Sequence, residues 1–324
     1  MIPRRISRFL RVRLLFLLAG NGLLLALIFA LLGEGGSFLH VLRRSASDVA
    51  PTVLAGLGMT GIVCAGAIDL SVGAVIALAG SVFGIFFHWG APPAACYAAA
   101  FGSAALVSTG NGLLVRLLGI PPIILTLAGL SFYRGAALIA ADAGIPDFSG
   151  NITVSNEAFH VPGKFLAGWI LLGVLGAALA WESASETPRR WLARGNSVEA
   201  CRLQGLSPGG ILLGAYGIGG IFLGFAALLL VTRSQSIEPA RMALGFELAV
   251  IGAVVLGGTN IFGGEGCYAG TVLGAFFLHL TGEALVYAGT SVYWREVITG
   301  GTIIAVIGID CGLHRRRKLL EELR

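Results

Sequence analysis

The sequence predicts an all-α fold: a polytopic transmembrane helical bundle of about ten spans with both termini cytoplasmic. Three observations lead there. Hydrophobic residues make up 56% of the 324 and charged residues only 12%, well under the roughly 25% of a soluble domain. The mean hydropathy is +0.86. The apolar residues gather in runs close to the ~20 residues a helix needs to cross a bilayer. Such a chain has too little polar surface to cover itself in water, and the whole of 1–324 reads as one transmembrane domain.

The runs fall at 14–32, 48–66, 72–90, 92–115, 120–141, 164–181, 210–232, 242–256, 267–289 and 293–311. The first follows the arginines Arg4 to Arg13, the flank of a signal peptide. It is longer than a typical h-region and no small-x-small cleavage site follows, so it is expected to be a retained first helix. The second and third runs are parted by Gly66-Ala67-Ile68-Asp69-Leu70-Ser71-Val72-Gly73. An acid at that depth needs a partner or water. Asp69 and Ser71 also suit the start of a helix, where a side-chain oxygen accepts from free backbone N–H groups. A cap at a tight turn and a direct place in a transport path both remain open.

The fifth run carries Arg134. The stretch after it, 142–163, holds Asp142, Asp147 and Glu157 and no Lys or Arg. The stretch after the sixth, 182–209, is basic. The eighth run is short and carries Glu247, so it is either a full span or a re-entrant piece. Arg134 and Glu247 are each costly alone in hydrocarbon and would offset one another as a pair. Gly257-Gly258-Thr259-Asn260-Ile261-Phe262-Gly263-Gly264-Glu265-Gly266 then interrupts the pattern, too glycine-rich for a regular helix. Irregular backbone survives at membrane depth only where protein buries it or a cavity wets it, and interrupted segments of this kind point to functional regions in transporters. Of the other polar groups in the last runs, His279 and Glu283 lie inside a span and Asp310 near an end.

Loop charge sets the orientation. With ten spans and the N-terminus inside, Arg4, Arg5, Arg8, Arg11, Arg13, Arg116, Arg189, Arg190, Arg194, Arg202, Arg315, Arg316, Arg317, Lys318 and Arg324 are cytoplasmic. Arg43, Arg44, Lys164, Arg233, Arg241 and Arg295 are external. That bias obeys the positive-inside rule. If the eighth run failed to cross, the basic tail would lie outside. The net charge of +5 therefore reads as attraction to an anionic membrane surface, not to nucleic acid. The five cysteines show no metal or CxxC spacing; most fall in apolar runs and are expected to be small buried hydrophobes. Glycine, at 49 residues, lets helices approach closely in lipid; Gly80/Gly84, Gly210/Gly214, Gly220/Gly224 and Gly270/Gly274 have the spacing for it.

Four blocks then carry a family resemblance. Gly58-Met59-Thr60 followed by Ile68-Asp69-Leu70-Ser71-Val72-Gly73 resembles the GMT…GIDLSVG signature of the ribose-type permeases of bacterial ABC importers. Thr126-Leu127-Ala128-Gly129 through Tyr133-Arg134-Gly135 resembles that family's TLG…RG segment. Gly195-Asn196, Glu199-Ala200 and Leu203-Gln204-Gly205 are similar to its cytoplasmic GN…EAA…LSGI loop. Glu247-Leu248 through Gly257-Gly258-Thr259, Gly263-Gly264 and Gly270-Thr271 resemble its ELxxIAAVVLGGTSxxGGxGxxxGT block. There are departures. Cys201 replaces the second Ala of EAA, Cys267-Tyr268 follow the glycine turn, and Asn260-Ile261-Phe262 is closer to the rhamnose and autoinducer-2 branches.

The resemblance implies a permease subunit that moves a ribose-like, rhamnose-like or autoinducer-2-like sugar. Its implied partners are cytoplasmic ATPase subunits, a periplasmic or lipid-anchored binding protein and a second permease copy or paralogue. The motif residues Asp69, Ser71, Gly73, Arg134, Glu247, Gly257, Gly258 and Thr259 become candidates for the transport path. Glu199, Ala200 and Gly205 become candidates for coupling within 186–209. The chain has no GxxxxGK[ST] phosphate loop, so ATP is expected on the partner and no cofactor or metal on this chain. A different class, an ion-coupled secondary transporter using Asp69, Glu247 and Glu283, is the competing expectation; a passive channel has no selectivity sequence to support it.

Overall fold

A computed structural model describes residues 4–32, 37–154, 163–233, 236–291 and scattered positions from 293 to 308. The chain folds into α1 (Arg4–Leu32), α2 (Phe38–Cys64), α3 (Val72–His88), α4 (Pro93–Leu118), α5 (Pro122–Gly144), α6 (Gly163–Ala184), α7 (Thr187–Asn196), α8 (Val198–Leu203), α9 (Pro208–Arg233), α10 (Phe246–Leu256) and α11 (Tyr268–Tyr287). The two short strands β1 (Ile152–Thr153) and β2 (Ser236–Ile237) pair antiparallel. Among the described residues, six helices are long and apolar enough to cross a membrane; α3, α10 and the described part of α6 are shorter apolar helices. The tenth predicted span, 293–311, lies for the most part outside the described residues, as does Glu157.

The helices begin and end where local chemistry dictates. Pro93 and Pro122 open α4 and α5, where a missing N–H costs nothing. Gly119, at φ +66, closes α4 in the left-handed conformation. The second span starts ten residues earlier than its apolar run, at Phe38. Its first turns are amphipathic, and Arg44 pairs with Asp48 across one turn at 3.7 Å.

Contacts divide the bundle into two ends. At the ribbon end, β1 meets β2, Arg233 at the end of α9 donates to the Ser47 carbonyl at 3.0 Å and pairs with Asp48, and Gly144 faces Ile85. At the junction end, the Gly264 N–H donates to the Cys64 carbonyl at 3.0 Å, and the Tyr268 N–H donates to Glu182 at 3.0 Å. There too Arg13 donates to the carbonyls of Leu256 and Val255, at 3.1 and 2.7 Å. Those two carbonyls close α10, where a cation suits the helix dipole. α2 is the central helix, buried along most of its length and packed on α9, α10, α11, α6 and α7. α1 and α5 lie outermost.

Small residues set the closest crossings. Gly270 and Gly274 of α11 press on the backbone of Gly257 and Ala253 of α10, Gly220 on Ala105 of α4, and Gly80 and Gly84 on Met242 and Ile152. The fourth glycine pair predicted from spacing does not pack this way: Gly214 faces open space.

Two spans are discontinuous, in opposite senses. The third has a non-helical half, 65–71, next to the junction end, and becomes helical only at Val72. The eighth has a non-helical half, 238–245, next to the ribbon end, and becomes helical only at Phe246. Helix α10 has 11 residues, about 17 Å at 1.5 Å per residue, against a hydrocarbon thickness of about 30 Å. With 238–245 in front of it, the segment still runs from ribbon to junction. The two helix starts meet inside the bundle: a Cβ on Gly73 would lie 2.5 Å from Glu247 Oε2 and against the Ala243 carbonyl.

Candidate functional site

The four sequence blocks, far apart in the chain, are brought together by this topology. The first half of the site is a buried polar chain at the start of α3. The Ser71 N–H and Oγ–H both donate to Asp69 Oδ1, at 2.8 and 2.6 Å. Ser71 Oγ accepts from Asn111 Nδ2 of α4 at 2.9 Å, and Tyr133 of α5 donates to Asn111 Oδ1 at 2.5 Å. Thr126 Oγ1 reaches the Ile68 carbonyl at 3.2 Å. Asp69, Ser71, Asn111 and Thr126 are all buried. The expected helix cap is thus built differently from a simple one. Ser71 occupies the N-cap position of α3 but makes no side-chain cap bond; the acid orders the turn before it. Asn111 lies outside the four sequence blocks, and Tyr133 stands in one only as the neighbour of Arg134, so neither is among the residues expected at the site. The signal was the polar patch Ser108-Thr109-Gly110-Asn111 in the middle of span four.

Asp69→Leu removes the acceptor for two donors of Ser71, each worth about 1–3 kcal/mol when left buried and unpaired. Asp69→Asn keeps an oxygen in place. The expected result in detergent is a melting temperature clearly lowered for the leucine variant and close to wild type for the asparagine variant. Equal melting of the two would show the acid to be incidental to the turn.

Arg134 does not form the expected ion pair with Glu247 among the described residues. Its Nη1 donates to the carbonyls of Pro239 and Met242, at 3.0 and 2.6 Å, and so satisfies backbone that the broken eighth span leaves open. Glu247 is close enough to act on it through space, and its Oε2 is buried without a hydrogen-bond partner.

The third block lies at the junction end. Gly195 is wedged against the backbone of Cys64, Gly263 and Gly264; Gly263 in turn faces Gly66. Asn196 donates to the Gly264 carbonyl at 3.2 Å. Arg194 donates to the Pro208 carbonyl at 2.9 Å and to the Ala65 carbonyl. Burial lowers the Arg194 pKa from the usual guanidinium value, while Cys201 and Tyr216 oppose the shift; a guanidinium stays charged regardless. A cluster of Trp181, Trp191, Tyr268 and Phe222, with centroid separations of 5.4 to 6.5 Å, backs the junction. From it projects α8. Ser197 Oγ caps that helix by accepting from the Ala200 N–H at 3.1 Å, Cys201 anchors it, and Val198, Glu199, Ala200, Leu203 and Gly205 are exposed.

In the fourth block Gly257 packs on Gly270, and Gly258, at φ +99, lies beside Arg13 and Leu10. Thr259 is fully buried. Thr271 pairs with Thr60 at 2.6 Å, tying this block to the first. Cys267 caps α11 by accepting from the Gly270 N–H at 3.3 Å.

A separate cluster lies nearer the ribbon end. Asp48, His279 and Glu283 have ligand-type atoms within 4.8 Å of one another. Ser45 donates to Glu283 at 2.6 Å, and Arg233 and Arg44 hold Asp48. With cations already on one carboxylate and a hydroxyl on the other, the arrangement is a polar tie between α2, α9 and α11.

Comparison with known proteins bears on this geometry. A family model described as "Branched-chain amino acid transport system / permease component" matches residues 41–307. The autoinducer 2 import system permease protein LsrC of Photorhabdus laumondii is 30% identical over 264 residues, 80% of this chain and 77% of that protein. The fructose import permease protein FrcC of Rhizobium meliloti is 30% identical over 294 residues, 85% and 79% of the two chains. The ribose import permease protein RbsC of Bacillus subtilis is 29% identical over 280 residues, 85% and 84%. No solved structure matches the chain.

Proposed function

Because the chain belongs to the branched-chain amino acid transport system permease family, we propose that it is the membrane-spanning subunit of an ATP-driven importer in a bacterial inner membrane. The substrates named for its relatives support a monosaccharide or autoinducer 2 as the solute. The observation that carries the proposal is the seating of α7 and α8. The GN…EAC…LQG block leaves the bundle at the junction end, where the third span begins and the eighth ends, with Gly195 set between Cys64 and Gly264. A push on α8 would be felt by both broken spans at once. The permease hydrolyses nothing itself: a separate cytoplasmic ATPase binds ATP and docks on 186–209, a binding protein delivers solute at the ribbon end, and a second permease copy or paralogue completes the channel.

On this reading the junction end faces the cytoplasm and the ribbon end the outside. The described passes alternate between the two ends, and the broken eighth segment counts as a crossing. Adding the predicted tenth span returns the basic C-terminus to the cytoplasm, as the distribution of arginines requires. The whole chain is one domain, with 182–209 as its coupling loop.

The test is uptake by proteoliposomes holding this chain with and without its ATPase, in membranes where fusions after Arg190 report inside and near Ser149 outside. Accumulation is expected only with the ATPase, ATP and binding protein together. Accumulation by this chain alone on an ion gradient would replace the importer with a secondary transporter.

A further inference from the structure

The two interrupted spans obey the same rule in different ways. Non-helical backbone at membrane depth must be either buried in protein or exposed to water, because lipid offers it no hydrogen bonds. The 65–71 break is buried: Asp69 and Ser71 are 1% and 0% exposed and their polar atoms feed the chain through Asn111 to Tyr133. The 238–245 break is not. Leu244 is 72% exposed and Leu248, in the first turn of α10, is 57% exposed; Ala240 and Arg241 are exposed beside them.

Depth follows from contacts. Met242 lies against Gly80 and Ala243 against Gly73 of α3. Glu247 is level with Gly73, and from there α10 descends nine residues to Leu256, about 14 Å at the helical rise, before reaching the junction end. The exposed break therefore stands near the middle of the membrane. Its backbone is incompletely paired: Arg241, Met242, Leu244 and Phe246 donate within the turn, but the N–H groups of Ala243, Gly245 and Glu247 find no backbone acceptor among the described residues. Ala243 also holds a left-handed φ of +53, a conformation that costs a non-glycine residue energy and persists only where surroundings impose it. Arg134 satisfies two carbonyls from one side; among the described residues, the side carrying Leu244 and Leu248 is left open.

Exposed leucines elsewhere do not share this property. Leu106 in the middle of α4 is 74% exposed, but it sits on regular helix whose backbone bonds are closed, so it can face acyl chains.

We infer that the open face of 238–248 lines the aqueous translocation path, with Leu244 and Leu248 facing a hydroxyl-rich solute and water rather than lipid. The open N–H groups of the turn and the flanking leucines offer hydrogen-bond donors and a small apolar patch, which suits the mixed faces of a sugar. The identity of the solute rests on the importer reading above; the wetting of this face does not.

The experiment is labelling of single cysteines in membranes holding the full transporter, with a charged, membrane-impermeant maleimide. Three of the native cysteines, Cys64, Cys96 and Cys201, are buried, and the unmodified chain provides the blank. Leu244→Cys and Leu248→Cys are expected to label at least tenfold faster than Leu106→Cys and than Leu23→Cys on α1. Using both path positions guards against one variant failing to insert. Labelling no faster than at Leu106 and Leu23 would overturn the inference. So would disulfide-linked dimers through Leu244→Cys without labelling, which would put a second copy of the chain on this face. ATP dependence of uptake is measured separately, so a failed importer reading and a failed path assignment give different results.

Discussion

Valine in place of Gly195 is expected to abolish uptake, at least a hundredfold, while the chain still inserts. A side chain at 195 would be built onto the Cys64 carbonyl and the Gly264 N–H, with the Gly263 carbonyl carbon 3.1 Å away. All three neighbours are backbone, so no rotamer change relieves the clash, and overpacking of this kind forces main-chain shifts. The first bond to go is the one from Gly264 to Cys64, 3.0 Å long, which joins the end of α2 to the glycine turn after α10. The control is Gly214→Val on α9, where a Cβ meets nothing within 4 Å and uptake should stay within about twofold, as for surface changes away from special features. Uptake in intact cells, normalised to the amount of chain in purified membranes, is the measurement. Near-normal uptake by the Gly195 variant would mean that the three-way contact is not used in transport.

The second large effect is expected at α8. Gly205 has φ +74 and its N–H donates to the Arg202 carbonyl at 2.9 Å. Proline fixes φ near −65° and has no N–H, so Gly205→Pro must rebuild the exit of the helix. Glu199→Arg leaves the fold alone by a different route. Among the described residues Glu199 pairs with Arg202 at 3.6 Å, both well exposed, and such a pair is worth a few tenths of a kcal/mol. Both variants should insert normally, lose co-purification with the ATPase and retain under about a tenth of wild-type uptake, the loss expected when a docking residue worth 1.4 kcal/mol or more is removed. Wild-type co-purification and uptake in both would move the coupling site to the glycine turn at 257–266.

Much of the fold was legible along the chain. Nine of the ten apolar runs return as helices or broken helices, because length and hydropathy are what lipid selects. Boundaries were less legible where another force set them. α2 begins at Phe38 because an Arg44–Asp48 pair and the Arg233 contact hold its polar first turns, and no hydropathy window sees such partners. The eighth run looked merely short. Its helix begins at Phe246 because Ala243 and Gly245 are left-handed just before it, and what replaces the missing turns became visible only with Arg134 bonded to their carbonyls. The site shows the same division. The structure brings the four motif blocks together, but the expected Arg134–Glu247 pair is replaced by a different geometry: the guanidinium donates to open backbone carbonyls instead. Asn111, which links Ser71 to Tyr133, is an uncharged side chain in an apolar span, and one sequence gives no sign of what it meets.

The fastening of α1 has a consequence for how the protein is made. Among the described residues, polar contacts hold this helix besides its apolar packing on α11: Arg13 on the last carbonyls of α10, and Asn21 Nδ2 on the Leu273 carbonyl at 3.0 Å. Arg13 and Val255 are 242 residues apart in the chain. At a synthesis rate of roughly 5–20 residues per second, α1 waits roughly 12–50 s in the bilayer before its partners emerge. During that interval it has no helix of its own chain to lean on at those positions. Its apolar sequence from Leu14 to Leu32 is what lets it persist alone, and its basic flank holds its direction meanwhile. Helix α1 is thus made long before it is fastened, and α10 and α11 close back upon it.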